Sequence, residues 1–242
     1  MALAYHSGGT SFAAGSWSDA IGFADDATLI VESGQQSVTA GLDNSGLTNG
    51  IFYLHVRSGF TGQIGTAASP LLSKFRNTYT TKPNIILEGG TLYLSQTNTC
   101  NQILVLGGRL ILVDGTCTLL EVRSGYVTRG ATVTVTTLDA QGGETLDDAD
   151  NATTLGTAHV GTGSAHFRGI VTTLNTYEGG RATYDYTGTP TTINLYGGRC
   201  NLLRGGATTV NGRRGVLDTS KATRDQTIAT LNRWPRFIHE ST

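Results

Sequence analysis

Apolar and polar residues alternate along most of the chain, and the alternation breaks at glycines. "NIILEGGTLYL" (84–94) and "TTINLYGGRCNLL" (191–203) show the unit: an alternating run, a Gly-Gly pair, then a second alternating run. Period-two alternation predicts a strand with one buried face. Glycine between two such runs predicts a corner that needs positive φ or a close backbone approach. The corner marks fall at Gly90, Gly108, Gly125, Gly143, Gly163, Gly180, Gly198 and Gly215, in steps of 18, 17, 18, 20, 17, 18 and 17 residues. Apolar pairs precede them, as Ile85/Leu87, Ile103/Val105, Leu120/Val122, Leu138/Ala140, Ala158/Val160 and Ile193/Leu195, and alternate apolar residues return after them, as Leu92/Leu94, Leu110/Leu112, Ala165/Phe167, Ala182/Tyr184 and Cys200/Leu202. The coil at Leu174 carries one extra residue, Glu178, before its glycines. Further glycines (Gly115, Gly130, Gly188, Gly205) and Thr-rich segments such as "ATVTVTT" and "GATTVNG" complete each repeat.

Three short strands and three bends per repeat predict an all-β fold. It is a single-chain parallel β-helix, a triangular β-solenoid of about 18 residues per coil, with an N-terminal β cap. Helical repeats are excluded, because their period is ~33–47 residues and their apolar spacing is three and four. The 18-residue beat is clear over 84–218, the regular solenoid. Residues 1–50 lack it and read as an N-terminal cap or attachment region; 51–83 read as a first coil ("FYLHVRSGFTG") followed by a protruding loop. Residues 219–242 read as a C-terminal cap or tail, with Trp234 covering the open end and Pro235 removing a ladder donor.

Composition narrows the function classes. The chain has 242 residues, 14% of them charged, and a formal net charge of -1, so no global field draws it to nucleic acid or an anionic membrane. "MALAYHSGG" lacks the basic start and apolar core of a secretory signal. No apolar run approaches the ~20 residues that span a bilayer. Three cysteines without zinc-like spacing predict reduced thiols and synthesis in a cytoplasm.

Candidate chemistry is sparse. There is no P-loop, G-x-S-x-G, H-E-x-x-H or C-x-x-C motif, and no cofactor is expected. His159 and His166 flank one corner without a third ligand at metal spacing. The segment "DAQGGETLDDADN" (139–151), with Asp139, Glu144, Asp147, Asp148 and Asp150, is the main acidic candidate: a solvated loop, a Ca²⁺ loop or a catalytic carboxylate pair. Arg109, Arg181 and Arg199 each directly follow a glycine pair and share a column, with Arg213 and Arg214 nearby. They form either a ridge for an acidic partner or an anionic glycan, or solvated charge that blocks edge pairing. Cys100 and Cys117 each precede a corner by eight residues and stack on adjacent coils, as buried thiols or at disulfide distance. Tyr177 and Tyr196 share a column, as a stacking ladder or a flat face for sugar.

Runs such as "TTINLYGG", "VTTLNTYEGG" and "NIILEGGTLYL", with the N-terminal pattern "WSDA … DDATLIVESG … GLDNSG … GFTGQIGTAASPL", resemble the β-helical virion proteins of tailed bacteriophages over most of residues 15–230. The resemblance brings no catalytic residue. It implies a virion structural role on the capsid exterior: a decoration (cement) protein that binds the major capsid protein, expected as a homotrimer. The alternatives are a tail fibre or spike component that adheres to host glycan and, third, a small polysaccharide depolymerase.

One packing expectation is independent of function. Val105 lies in the inward column between Ile103 and the Gly107 corner. Val105→Asp buries an unpaired charge and abolishes cooperative folding, read as loss of the thermal transition in circular dichroism; an unchanged melt would reverse the inward assignment of this column.

Overall fold

A strand with one apolar face closes no core by itself. Stacked in parallel on a like strand, it satisfies its ladder groups and aligns its inward side chains. The computed structural model has this architecture and describes residues 3–6, 11–12, 24–34, 36–76, 83–147, 151–223 and 226–241. The described residues form strands and no helix, and within each unit successive coils pair in parallel register, so the fold is a parallel β-solenoid. No helix is long and apolar enough to cross a membrane. Contacts divide the chain into two units, Met1–Leu120 with Gly125–Thr128 and Glu121–Ser124 with Arg129–Thr242.

In chain order the strands are β1 (Leu3–His6), β2 (Thr28–Gly34), β3 (Tyr53–Phe60), β4 (Gln63–Ile64), β5 (Leu71–Ser73), β6 (Ile85–Leu87), β7 (Thr91–Gln96), β8 (Cys100–Val105), β9 (Arg109–Asp114), β10 (Thr116–Val122) and β11 (Tyr126–Arg129). They continue as β12 (Thr134–Ala140), β13 (Glu144–Asp147), β14 (Asn151–Val160), β15 (Ser164–Phe167), β16 (Gly169–Thr176), β17 (Arg181–Asp185), β18 (Thr192–Leu195), β19 (Arg199–Arg204), β20 (Ala207–Asp218) and β21 (Ile228–Glu240).

In the first unit, Leu29, Leu54, Ile85 and Ile103 face one another on successive coils, as do Val31, Val56, Leu87 and Val105. All eight are fully buried. Burying each such side chain is worth roughly 1.5–3 kcal/mol, so the columns carry the fold. In the second unit the matching column is Leu138, Ala158, Leu174, Ile193 and Val210, with Ala165, Ala182, Cys200 and Leu217 across the corner. Tyr184 is fully buried beside them, and its hydroxyl donates to the Gly188 carbonyl at 3.1 Å.

Three expectations about the ends change. Coil stacking begins well before residue 51: β1 pairs with β2 and β2 with β3, so residues 1–50 include solenoid rather than forming only a cap. The 18-residue beat misses these coils because they are longer; Leu29 faces Leu54, and Leu54 faces Ile85. Residues 63–83 are not a simple protruding loop, since β4 and β5 both pair with β7. Residues 77–82 lie outside the described residues. Trp234 does not close the end of the stack: β21 is itself a coil in parallel register with β20, and the Trp234 side chain stands on its outer side, 44% exposed.

The corners explain the glycines. A Cβ on Gly108 would lie 2.6 Å from the Gly90 carbonyl oxygen, and one on Gly125 2.5 Å from that of Gly108. Each glycine thus sits against the carbonyl of the glycine one coil earlier, and the residue propagates down the column. Of the eight marks, Gly90, Gly108, Gly125, Gly143, Gly198 and Gly215 have positive φ; Gly163 does not, and at the coil with the extra Glu178 the positive φ falls on Gly179 instead of Gly180.

Gly108→Ala adds a left-handed penalty of ~1–2 kcal/mol to this clash and lowers the urea midpoint accordingly. Gly46→Ala, where an added Cβ meets nothing within 4 Å and φ is not left-handed, leaves the midpoint within ~0.5 kcal/mol of the parent.

Candidate functional site

In-register stacking turns a residue type repeated once per coil into a column. On the outer side of the second unit, Thr137, Thr157, Thr173, Thr192, Thr209 and Thr230 are successive register partners. Two residues on, the column reads Asp139, His159, Asn175, Asn194, Asn211 and Asn232. The asparagines form a ladder: each Nδ2 of Asn194, Asn211 and Asn232 donates to the Oδ1 of the preceding asparagine at 2.8 Å. Each amide keeps a second N–H that the ladder does not use. The motif behind both columns is Thr-apolar-Asn, in "TLN", "TIN", "TVN" and "TLN" at 173, 192, 209 and 230. Alignment on glycines hides it, because the last copy runs into "RWPR" instead of a Gly-Gly pair.

Beside the asparagines, at the corner, stands a column of rings and one guanidinium. Tyr177 and Tyr196 stack with centroids 5.3 Å apart and planes 16° from parallel. His159 stacks on Tyr177 at 6.1 Å, and its Nδ1 lies 3.2 Å from the Tyr177 hydroxyl. Arg213 lies over both Tyr196 (5.4 Å) and Trp234 (5.6 Å). The two tyrosines are therefore a ladder whose facing surfaces cover each other, not an open platform for a sugar ring. Desolvation, with Tyr196 and Asp139 adding to it, raises the Tyr177 phenol above its usual value. Gly161 leaves a shallow notch in this column, lined by Asp139, Gln141, His159 and Tyr177. The Gln141 amide donates to Asp139 at 2.6 Å there.

The acidic segment separates into unlike parts. Asp147 is buried and forms a bidentate pair with Arg129, Nε to Oδ1 at 2.7 Å and Nη2 to Oδ2 at 2.9 Å, and it accepts the Arg168 backbone N–H at 3.0 Å. Both side chains are 2% exposed. A carboxylate held this way stabilises its arginine and is closed to substrate. Glu144 is exposed, and Asp148 and Asp150 lie outside the described residues. No group of three or more His, Cys, Asp or Glu side chains suited to a metal occurs among the described residues. His166 is 3.6 Å from Asp185 and is not brought to His159's notch.

The arginines separate as well. Arg181 and Arg199 are direct register partners, so that part of the expected column exists. Arg199 is not available to a partner, because it pairs with both Asp218 and Glu240. Arg109, in the first unit, lies over the Tyr126 ring at 5.1 Å. Arg213 and Arg214 are exposed at the corner, and β21 brings two further arginines that the sequence reading missed: Arg233 opposite Gly212 and Arg236 opposite Arg214. Their signal was register, invisible until β21 is aligned by its Thr-Leu-Asn. Cys100, Cys117 and Cys200 are free and buried. Burial, with the Cys117 thiol beside it, pushes the Cys100 thiol well up, and burial alone takes Cys200 to about 12. These are inert packing thiols.

The chain matches no family model, no curated protein and no solved structure.

One of these contacts is titratable in an accessible range. The Ser220 hydroxyl and then Arg199 hold Asp218 down at about 2 against burial, which pushes the other way. A depressed folded-state value contributes stability that is fully present above the ordinary value of 3.8 and is lost as pH falls through about 2. The denaturation midpoint should drop across that window, and Asp218→Asn should flatten part of the drop; an identical slope in the variant would remove the contact from the ledger of acid stability.

Proposed function

We propose that this protein is a virion structural protein of the tailed-bacteriophage kind, a capsid decoration protein that binds the major capsid shell from outside as a homotrimer. The reading rests on the resemblance of its repeats to β-helical virion proteins. The observation that supports it is that the most buried acidic candidate, Asp147, is locked to Arg129 while the repeats are spent on rigid, in-register coils. A scaffold of this kind adds stability to a shell by mass action, because it binds the assembled form and needs no chemistry. Closed symmetry reuses one interface at every copy, which suits a three-fold position on a capsid lattice.

Purified particles should carry the protein at a fixed, high copy number over the shell, and particles lacking it should release their contents at lower temperature. Labelling confined to the tail, or shells equally stable without the protein, would overturn the assignment.

A further inference from the structure

Three guanidinium groups gather at one corner of the second unit, and among the described residues no carboxylate neutralises them. Arg213 and Arg214 lie on β20 and Arg236 on β21, and Arg214 and Arg236 are direct register partners. Like charges directly opposite each other on neighbouring strands are destabilising. The only carboxylates of β20 and β21 are Asp218 and Glu240, and both are committed to Arg199. Arg233 stands apart from these arginines: it continues the inward column of Leu195 and Gly212 and meets the imidazole of His239, which continues that of Cys200 and Leu217, at 3.2 Å. Arg213 is held between the rings of Tyr196 and Trp234, a contact that supplies no negative charge. Elsewhere in the same unit Arg129 and Arg204 each have an aspartate. Among the described residues the corner is thus an uncompensated positive patch, with Arg213 already fixed by its rings.

Two neighbouring features point to the kind of anion. Trp234 offers exposed ring surface at the patch, 44% of its side-chain residue area being open. Asn194, Asn211 and Asn232 run alongside, each with an amide hydrogen outside the ladder. Hydrogen-bonding groups repeating once per coil, ~4.8 Å apart, are of the order of the length of one pyranose ring. Arginine binds carboxylate and sulfate through paired N–H groups, amides bind hydroxyls, and an indole face takes the C–H side of a sugar.

We propose that this corner binds an anionic glycan, a uronate- or sulfate-bearing chain lying across successive coils. Arg213, Arg214 and Arg236 hold its charges, the asparagine ladder its hydroxyls and Trp234 a ring face. An acidic protein surface would need the arginines but neither the ladder nor the indole.

The test is titration calorimetry on the full chain with an oligogalacturonate, a heparin-derived octasaccharide, a neutral malto-oligosaccharide and polyaspartate, at low and physiological salt. At least one anionic glycan should bind and the neutral one should not. Arg214→Ala/Arg236→Ala should weaken that binding by about tenfold or more, and Trp234→Ala should weaken the glycan while leaving polyaspartate unchanged. All three side chains are exposed, so unchanged thermal melts verify the fold. No glycan binding at low salt, or binding indifferent to the arginines, would overturn the proposal. Polyaspartate binding at least as tightly as the glycans, with Trp234→Ala without effect on either, would overturn it in favour of an acidic protein. The measurement uses the isolated protein, so its outcome and that of the particle experiments are independent.

Discussion

Parallel strands in register lie ~4.8 Å apart, so whatever one coil places at a position has a neighbour from the adjacent coil at that distance. Every column in both units answers to this spacing. Inside, apolar side chains meet it most readily without water, hence the chains of Leu, Ile, Val and Ala from Leu29 to Val105 and from Leu138 to Val210. At the corners the backbone itself approaches, and a glycine resting on the Gly90 or Gly108 carbonyl leaves no room for a methyl group. Outside, the same spacing favours groups that attract their own kind. Asparagine donates and accepts in one plane, so Asn175 to Asn232 satisfy one another, and the rings of Tyr177 and Tyr196 share a face. Arginine fits this rule worst, and that is why Arg214 opposite Arg236 stands out.

Charge in the second unit is used mostly for the fold. Asp147 accepts from Arg129 and the Arg168 backbone in a nearly dry site, Asp185 is shared between Arg204 and His166, and Arg199 gathers Asp218 and Glu240. Each arrangement links segments on different coils, and breaking the Arg129–Asp147 pair would leave a charge facing a stack with little water to receive it. Carboxylates that look like a reactive cluster in the linear sequence are therefore distributed: Asp139 beside Gln141 on the surface, Asp147 within the packing.

The regular solenoid was legible because its two strongest signals, alternation and glycine spacing, are both local. Val105, Ile193 and Leu195 are inward as the alternation implies, and the Tyr177–Tyr196 ladder follows from counting residues to the corner. Of the early coils, the one at "FYLHVRSGFTG" was legible and is β3, but its partners were not, since Leu29 faces Leu54 and Leu54 faces Ile85 across excursions with no fixed period. Trp234 was misread for the opposite reason: a tryptophan before proline near the last repeat looks like a lid, and only the pairing of β21 with β20 puts it beside Arg213. Arg233 and Arg236 were missed for the same cause. The partner of Asp147 was also hidden, because Arg129 lies a coil away and nothing local links the two.

The coils are unequal in length, yet their columns stay aligned. Between Leu174 and Ile193, Ile193 and Val210, and Val210 and Leu231 the chain spends different numbers of residues, and the surplus is absorbed at bends and bulges such as the shift between Gly212 and Arg214. Alignment is restored by the next inward side chain, not by counting. Insertions and deletions at the corners are therefore nearly invisible to the faces between them. Such a chain can acquire, lose or exchange surface loops over evolutionary time while its flat sides keep the same lattice of groups, and a foreign peptide grafted at a corner would inherit a rigid frame without disturbing it.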